Sequence, residues 1–215
     1  MLPSSGDSRW RKTDESVRLV HCPDHCGQFL YYARTYTVGM GYEHSQTNQL
    51  ILNLKKSVGA SPSELSYKRQ AIQKFTREVV GLLNQCSEPL TLIPIPPSKA
   101  RSHPEYDGRL EQVAGGVAAA LPDIAWLPLL CAKDSIESSH SGSGRSADML
   151  YDWLQVDRSV GDRYQGDTII ALLDDVLTSG AHFTAARRRI LTAFPDARVI
   201  GIFWAKAVSP GDFSF

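Results

Sequence analysis

The feature that most constrains this chain is an apolar, β-prone run at 168–173 that ends in two adjacent acids, Asp174 and Asp175. An apolar run of this length without alternation is typical of a central parallel strand whose two faces are both covered. Helical spacing of apolar residues follows over 181–194, and a further β-prone run follows over 198–205. This succession of strand, helix and strand predicts a parallel sheet with helices packed on it.

The preceding part of the chain shows the same alternation. Ser61, Pro62 and Glu64 form a helix-start signature, and the adjacent Gly115 and Gly116 on a later helix predict close packing against the sheet. The pattern predicts an α/β fold with a doubly wound parallel sheet, in which ligands bind beyond the carboxyl ends of the strands. We predict strands at 17–20, 29–38, 90–96 and 124–130, and helices from Ser45 and over 61–84, 109–121 and 147–156.

The charge of the chain excludes some classes of partner. The 215 residues contain 23 Lys and Arg and 23 Asp and Glu, and a neutral chain has no long-range field that attracts nucleic acid or an anionic membrane. We therefore expect neither partner, and an anionic ligand must be held by a local site. Residues 1–16 lack the apolar segment of a secretory signal, and four cysteines are too few for a disulfide framework. We expect a cytoplasmic protein with reduced thiols.

The turn after the central strand predicts a site for a sugar phosphate. Adjacent carboxylates repel each other and are costly to bury, and ionised carboxylates are natural acceptors for sugar hydroxyls. Thr178, Ser179 and Gly180 then form a small hydroxyl-rich turn, where backbone N–H groups at a helix N-terminus can hold a phosphate. Gly180 can take the positive φ that such a turn needs. A simple capped strand–helix turn has a similar composition, but the flanking strand and helix favour the ligand site.

The stretch IIALLDDVLTSGAHFTAA at 169–186 resembles the ribose-phosphate signature of type I phosphoribosyltransferases. The second half of that signature is usually Thr-Gly-Ala/Gly-Thr; here Ser179 fills its first position and His182 stands in its last, with Thr184 nearby. The resemblance implies that Asp174 and Asp175 engage the ribose hydroxyls of 5-phosphoribosyl-1-pyrophosphate (PRPP). It also implies that the 5′-phosphate is wrapped by Thr178, Ser179, Gly180 and Ala181, with His182 close by.

The turn after the strand at 90–96 offers Ser98, Lys99 and Arg101. Alone, it is more simply interpreted as a proline-stopped strand followed by solvated basic residues. Together with the first motif it favours pyrophosphate binding. The order Ile-Pro-Ile-Pro-Pro at 93–97, followed by basic residues and a helix, is similar to ComF-like phosphoribosyltransferase domains.

The resemblance also implies a flexible loop that closes over the substrate, here 133–145, with Lys133 and Arg145 reaching the leaving pyrophosphate. A plain linker is the alternative. The implied division of the chain is a flexible leader over 1–16, an N-terminal hood or accessory segment over 17–60, and a phosphoribosyltransferase-like core over 61–215.

Four potential metal ligands lie within six residues: His21, Cys22, His25 and Cys26. A structural zinc site usually takes a second pair from elsewhere, and Cys86 and Cys131 are not in paired spacing. The four-cysteine zinc ribbon with which ComF-like proteins often begin is lacking. We therefore favour a turn with partly buried thiols over a zinc site.

The function that the resemblance implies is a phosphoribosyltransferase of the glycosyltransferase class, active in nucleotide metabolism. A nitrogen acceptor of nucleobase type would displace pyrophosphate, with Mg²⁺ as cofactor. No motif identifies the acceptor, and a homodimer stays open.

Two alternatives fit the same residues. One is a non-catalytic protein of this fold that senses PRPP or a nucleotide and regulates a partner. The other is a flavodoxin-like or response-regulator-like domain, in which Asp174 and Asp175 form an acidic pocket. That domain type expects its acidic pair after an early strand, whereas this pair lies near the C-terminal end of the sequence.

Overall fold

The computed structural model describes residues 10–13, 30–135, 146–164, 166 and 168–211. The strand predicted at 17–20 lies outside them. The strands are β1 (Arg11–Lys12), β2 (Leu30–Thr37), β3 (Leu90–Pro94), β4 (Ile124–Trp126), β5 (Leu130–Ala132), β6 (Leu154–Val156), β7 (Ile169–Leu177) and β8 (Val199–Val208). The helices are α1 (Gln46–Leu54), α2 (Pro62–Leu83), α3 (Arg109–Ala120), α4 (Ala147–Trp153), α5 (Arg158–Gly161) and α6 (Ala181–Ala193).

Six strands form the main sheet, in the order β1-β2-β8-β7-β3-β4. All neighbours run parallel except β1, which pairs antiparallel with β2. The strand predicted to be central, β7, lies between β8 and β3 and is apolar on both faces up to its acidic pair. The predicted α/β fold with a parallel sheet is therefore confirmed.

Helices cover both faces of this sheet. On one face α1, α2 and α3 enclose a core in which Phe75 stacks on Trp204, with ring centroids 4.8 Å apart. On the other face α4 and α6 pack around Phe183 and Phe203. The helices that follow the neighbouring strands β3 and β7 thus lie on opposite faces. This divergence opens a crevice beyond the carboxyl ends of β3 and β7, where doubly wound sheets bind ligands.

The predicted helix start at Ser61 is confirmed in detail. The Ser61 side chain accepts from the backbone of Glu64, and the Glu64 side chain accepts from the backbone of Ser61. This capping box and Pro62 fix the beginning of α2, which runs across the sheet to Leu83. None of the helices in the described ranges is both long and apolar enough to cross a bilayer.

The N-terminal segments take a larger part in the sheet than the sequence predicts. Residues 10–13 fall within the predicted leader, yet Arg11 and Lys12 pair with β2 and the Thr13 N–H donates to the carbonyl of Leu30 at 2.9 Å. The strand β2, within the predicted hood segment, pairs in parallel with β8 over its length. The strand β2 thereby pairs the N–H and C=O groups on the edge of β8 that β7 does not cover.

The run predicted as one strand at 124–130 is divided. The N–H of Leu127 donates to the carbonyl of Leu92, after which Pro128 has no N–H to offer, so pairing with β3 ends. Residues Leu130–Ala132 then form β5, which pairs antiparallel with β6 in a separate two-stranded sheet. The last three residues of the helix predicted over 147–156 are this strand β6 rather than helix.

The two glycines of α3 have different neighbours. A Cβ on Gly115 would lie 3.8 Å from the Trp126 ring of β4, an ordinary contact with the sheet. A Cβ on Gly116 would lie 2.9 Å from the Thr76 side chain of α2. The prediction that both glycines pack against the sheet is therefore wrong for Gly116, which allows close approach of two helices.

A third glycine sets the distance between α6 and the sheet. Gly201 lies within β8, and a Cβ there would come within 3.0 Å of Phe203, Leu30 and Phe183. All three side chains are fully buried, so none can move freely. Phe183 belongs to the first turn of α6, so the absence of a side chain at Gly201 allows the N-terminus of that helix to pack closely against β8.

We expect Gly201→Ala to lower the free energy of unfolding by about 1–3 kcal/mol, because the added methyl overpacks a rigid aromatic core. Urea unfolding at pH 7 measures this change. Gly115→Ala is the control, since its methyl has room and alanine favours a helix by about 1 kcal/mol over glycine. Equal stability of wild type and Gly201→Ala would contradict the packing argument.

Candidate functional site

The prediction that the two acids lie in the turn after residue 173 is wrong, because β7 continues to Leu177 and contains them both. They lie on opposite faces of β7, because side chains alternate along a strand. Both residues are buried. Asp175 faces the side of α1 and α3, where it contacts Lys55 and Arg109. Asp174 faces α6, where it approaches His182. Adjacent positions in the sequence therefore have different surroundings.

Both carboxylate oxygens of Asp175 are paired with cations. Arg109 donates to Oδ2 at 2.7 Å, and the Lys55 ammonium lies 3.3 Å from Oδ1. Arg109 is the first residue of α3, and Lys55 directly follows α1. Neither cation is among the site residues that the sequence predicts. Their signal was a basic residue at each of two helix ends beside the carboxyl edge of the sheet.

The pairing of Asp175 continues into a chain of charges. Arg109 also donates to Asp107 at 2.6 Å, and Lys68 donates to the same carboxylate at 2.6 Å. Three cations, Lys55, Lys68 and Arg109, thus face two carboxylates, Asp107 and Asp175, which leaves one positive charge in excess. This cluster favours an anion beside it.

The ion pairs determine the protonation state of Asp175. Burial alone would raise the pKa of this carboxyl, but Lys55 and then Arg109 outweigh burial and hold the pKa below its usual range. Burial would lower the pKa of Arg109, and Asp175 and Asp107 reverse that effect and raise it. Asp175 and Arg109 are therefore both charged at neutral pH.

Asp174 is the acid with spare capacity. Its Oδ1 accepts the backbone N–H of Asp175 at 2.8 Å. Its Oδ2 lies 3.7 Å from Nδ1 of His182, which is too long for a hydrogen bond. Oδ2 can thus accept from a ligand hydroxyl, and His182 lies where it can contact the same ligand.

The bend after β7 opens α6, as predicted. Gly180 is the residue before the helix and has a φ of 81°, so the predicted positive φ is confirmed. No side chain caps this helix, and its first turn holds no acidic residue. The free N–H groups there, beside the exposed Thr178 and half-buried Ser179, form a site that favours an anion.

The turn after β3 lies beside β7. The N–H of Ile95 donates to the carbonyl of Leu173 at 2.9 Å, so the residues beyond it, including Ser98, follow the same edge of the sheet. Lys99 lies 4.0 Å from Glu105, and Arg101 pairs with Glu111. The cations proposed for pyrophosphate thus have acidic partners within the protein in this structure.

The remaining candidates lie elsewhere or outside the described residues. Lys133 lines a pocket of about 650 Å³ together with Arg158, Arg189 and Thr192, against the C-terminal half of α6. In the described part of the chain no contact joins Lys133 to Asp174 or Asp175. Ser135 accepts the N–H of Ala100 at 3.0 Å, so the loop 133–145 begins against the turn after β3. Arg145 and the His/Cys group at 21–26 fall in undescribed stretches.

We expect Asp175→Asn to lower the free energy of unfolding at pH 7 by about 3 kcal/mol, because it leaves Arg109 buried without its charge partner. The pKa of Asp175 is lowered on folding, so its ionised form stabilises the protein above the unfolded-state pKa of about 4. That stabilisation is lost as the pH falls through the folded-state pKa.

Urea unfolding of both proteins between pH 7 and pH 3 measures the effect. The difference between wild type and Asp175→Asn should be full at pH 7 and should shrink below about pH 4. Asp148→Asn, which breaks a surface pair with Arg188, is the control and should cost less than about 1 kcal/mol. A difference that stays constant over this pH range would show that the charge of Asp175 is not the cause.

Comparison with known proteins gives likenesses among solved structures. No protein-family model matches the chain, and no curated protein matches it either. Among solved structures, the chain is similar to adenine phosphoribosyl transferase from Trypanosoma brucei, in complex with AMP, pyrophosphate and ribose-5-phosphate. The alignment covers 80% of this chain and 83% of that chain, with 8% sequence identity and a TM-score of 0.42. Likeness at this level establishes neither a family nor an activity, so a function has to be argued from the residues of the site.

Proposed function

We propose that this protein is a phosphoribosyltransferase that binds PRPP and transfers its 5-phosphoribosyl group to a nitrogen acceptor of nucleobase type, releasing pyrophosphate. One observation carries the proposal. A central strand that is apolar up to two acids near its carboxyl end leads, through a positive-φ glycine, into a helix whose N-terminus no side chain caps. This arrangement lies at the crevice between β3 and β7.

The 5′-phosphate fits the bend. The N–H groups of Gly180, Ala181 and His182 are available at the helix start, and Thr178 and Ser179 add hydroxyl donors. The partial positive charge of a helix N-terminus favours a phosphate without a lysine or arginine in the turn. A phosphate held there would fix the position of the ribose ring along β7.

The ribose hydroxyls fit the acids. Asp174 offers Oδ2, which has no close hydrogen-bond partner among the described residues. Asp175 uses one site on each oxygen for its cations, and a carboxylate has about four acceptor sites in all. We therefore propose that Asp174 is the principal acceptor for the ribose hydroxyls. Asp175, whose charge is fixed by its cations, is a second acceptor.

The diphosphate fits the turn after β3. Ser98 offers a hydroxyl, and Lys99 and Arg101 can exchange their carboxylate partners for phosphate oxygens. The exchange costs little for Lys99, since its partner Glu105 is 4.0 Å away and largely exposed.

In this proposal Mg²⁺ is bound mainly by oxygen atoms of the ligand. Within the described ranges, no three His, Cys, Asp or Glu side chains converge so that they could hold a metal. Asp174 is the carboxylate with an uncommitted oxygen, so most ligands of Mg²⁺ would come from the diphosphate, the ribose hydroxyls and water. This donor set suits Mg²⁺, which keeps several waters and binds with substrate phosphates.

The chemistry would be mostly positioning. Displacement at C1 gathers positive charge on the ribose, and Asp174 would offer the opposite charge nearby. The bend would orient C1 by fixing the phosphate. The loop 133–145, with Arg145, is the proposed cover that excludes water from the reacting carbon. Lys133 lies against the C-terminal half of α6, so it would have to move to take part in this cover. When bound, Mg²⁺ would neutralise the charge of the leaving diphosphate.

One observation favours a second candidate function. His182 stands in the position where the signature of the resembled enzymes has a threonine, so the turn that would hold the phosphate departs from the pattern of those enzymes. The same ligand could thus be sensed by a non-catalytic protein that regulates a partner.

A cytoplasmic location, a role in nucleotide metabolism and a homodimer stay expectations.

We expect wild type to bind PRPP with Mg²⁺ in isothermal titration, and Asp174→Asn to bind at least about tenfold more weakly, because a charged hydrogen bond is lost. Asp174 is a better test than Asp175, whose substitution also removes a buried ion pair. Asp148→Asn makes the same chemical change at an exposed site and should bind like wild type. Equal affinity of Asp174→Asn and wild type would remove Asp174 from the site.

A pyrophosphate-release assay over a panel of nucleobases separates the two candidate functions. The transferase predicts release with at least one base and loss of release in Asp174→Asn, because the ribose is no longer held. Tight PRPP binding with no release for any base would instead favour the sensor.

A further inference from the structure

We propose that Lys55 is a further ligand-binding residue of this site, whose ammonium binds the diphosphate of PRPP. This inference rests on the proposed function. It adds a cation that neither the bend after β7 nor the turn after β3 contains.

The backbone at Lys55 is held in place. Its N–H donates to the carbonyl of Ile51 at 3.0 Å, and the Ile51 and Leu54 side chains of α1 are fully buried against the sheet. At the other end of α1, the Asn48 side chain donates to the carbonyl of Thr37, the last residue of β2, at 3.0 Å. The helix is thus fixed to the sheet at both ends, so only the side chain of Lys55 is left to adjust.

The contacts of Lys55 leave it free to bind an anion. Its ammonium makes one ion pair, at 3.3 Å to Asp175, and 42% of its side chain is exposed. An ammonium has three N–H donors, and a single ion pair does not use them all. Arg109 differs, because it is only 18% exposed and divides its N–H groups between Asp107 and Asp175. Arg109 therefore positions Asp175, and Lys55 can reach a ligand.

The balance of charge points the same way. The cluster of Lys55, Lys68, Arg109, Asp107 and Asp175 carries one positive charge in excess, and Lys55 is its most exposed cation. In the turn after β3, the charges of Lys99 and Arg101 are balanced one for one by Glu105 and Glu111. A diphosphate beside Asp175 would need a positive charge to offset the repulsion from that carboxylate. Lys55 supplies it at that point.

Lys55 also lies at the right place along the sheet. Leu173 of β7 pairs with Pro94 of β3, and continuing this register places Asp175 level with Pro96, at the start of the turn after β3. Neighbouring strands are about 5 Å apart. The Lys55 ammonium, which is paired with Asp175, is therefore close to the turn after β3, to which the proposal assigns the diphosphate.

Isothermal titration with three probes tests this assignment: PRPP with Mg²⁺, inorganic pyrophosphate, and ribose 5-phosphate. We expect Lys55→Met to weaken PRPP and pyrophosphate at least about tenfold, since a charged hydrogen bond to the anion is lost. Its affinity for ribose 5-phosphate should stay unchanged, because that ligand lacks the diphosphate. Lys55→Arg, which keeps the charge, should retain most of the affinity for PRPP.

Lys74→Met is the matched control. Lys74 has similar exposure, 37%, and lies 3.9 Å from Glu78 on α2, away from the acids of β7. This variant should bind all three probes like wild type. Lys55→Gln is a second neutral variant, to be used if Lys55→Met does not give a cooperative urea unfolding transition.

The outcomes separate this inference from the proposed function. If wild type binds none of the probes, the proposed function fails and Lys55 loses its role with it. If wild type binds PRPP and the neutral Lys55 variants bind it equally well, the assignment of Lys55 alone fails. Equal weakening of all three probes would also overturn it, because Lys55 would then act only by positioning Asp175.

Discussion

The buried pairing of Asp175 with Arg109 and Lys55 is the interaction on which the organisation of the site depends. It joins β7 to the first residue of α3 and to the end of α1, so three elements from distant parts of the sequence meet at one carboxylate. A buried carboxylate without these cations would be costly. The positions of α1 and α3 at the carboxyl edge of the sheet are therefore a condition for keeping Asp175 ionised.

Because side chains alternate between the two faces of β7, its two adjacent acids have different neighbours. Asp175 faces the cations of α1 and α3, and its charge is fixed by them. Asp174 faces α6, where its Oδ2 has His182 at 3.7 Å and no close donor among the described residues. A buried ion pair adds little stability over an apolar replacement, but losing one partner is costly, so the two cations hold the Asp175 carboxylate in place. One acid is thus held by cations, and the other, beside an uncapped helix N-terminus, has an oxygen open to a further hydrogen-bond donor.

The sequence predicted those parts of the site that lie close together along the chain. The strand β7, the bend and the positive φ of Gly180 all follow from apolar patterning and turn composition within 168–184. Lys55 and Arg109 could not be found in that way, because they reach Asp175 only through tertiary packing and lie 120 and 66 positions before it in the sequence. The place of β2 beside β8 was missed for the same reason, since strand order is not encoded in local patterning. The end of β4 pairing at Pro128 could have been predicted from the sequence. Proline has no N–H for the sheet, and this interrupts the strand even within an apolar run.

A chain with no net charge can still bind a strongly anionic ligand if it arranges positive potential locally. This protein uses two sources of it, on opposite faces of one strand. On the α6 face the source is the backbone, through the free N–H groups after Gly180, which cannot move away and need no counter-ion. On the α1 and α3 face the source is a set of side chains with one positive charge in excess. A ligand with a phosphate at one end and a diphosphate at the other matches both sources only if its sugar lies across the end of β7, where Asp174 and Asp175 are found.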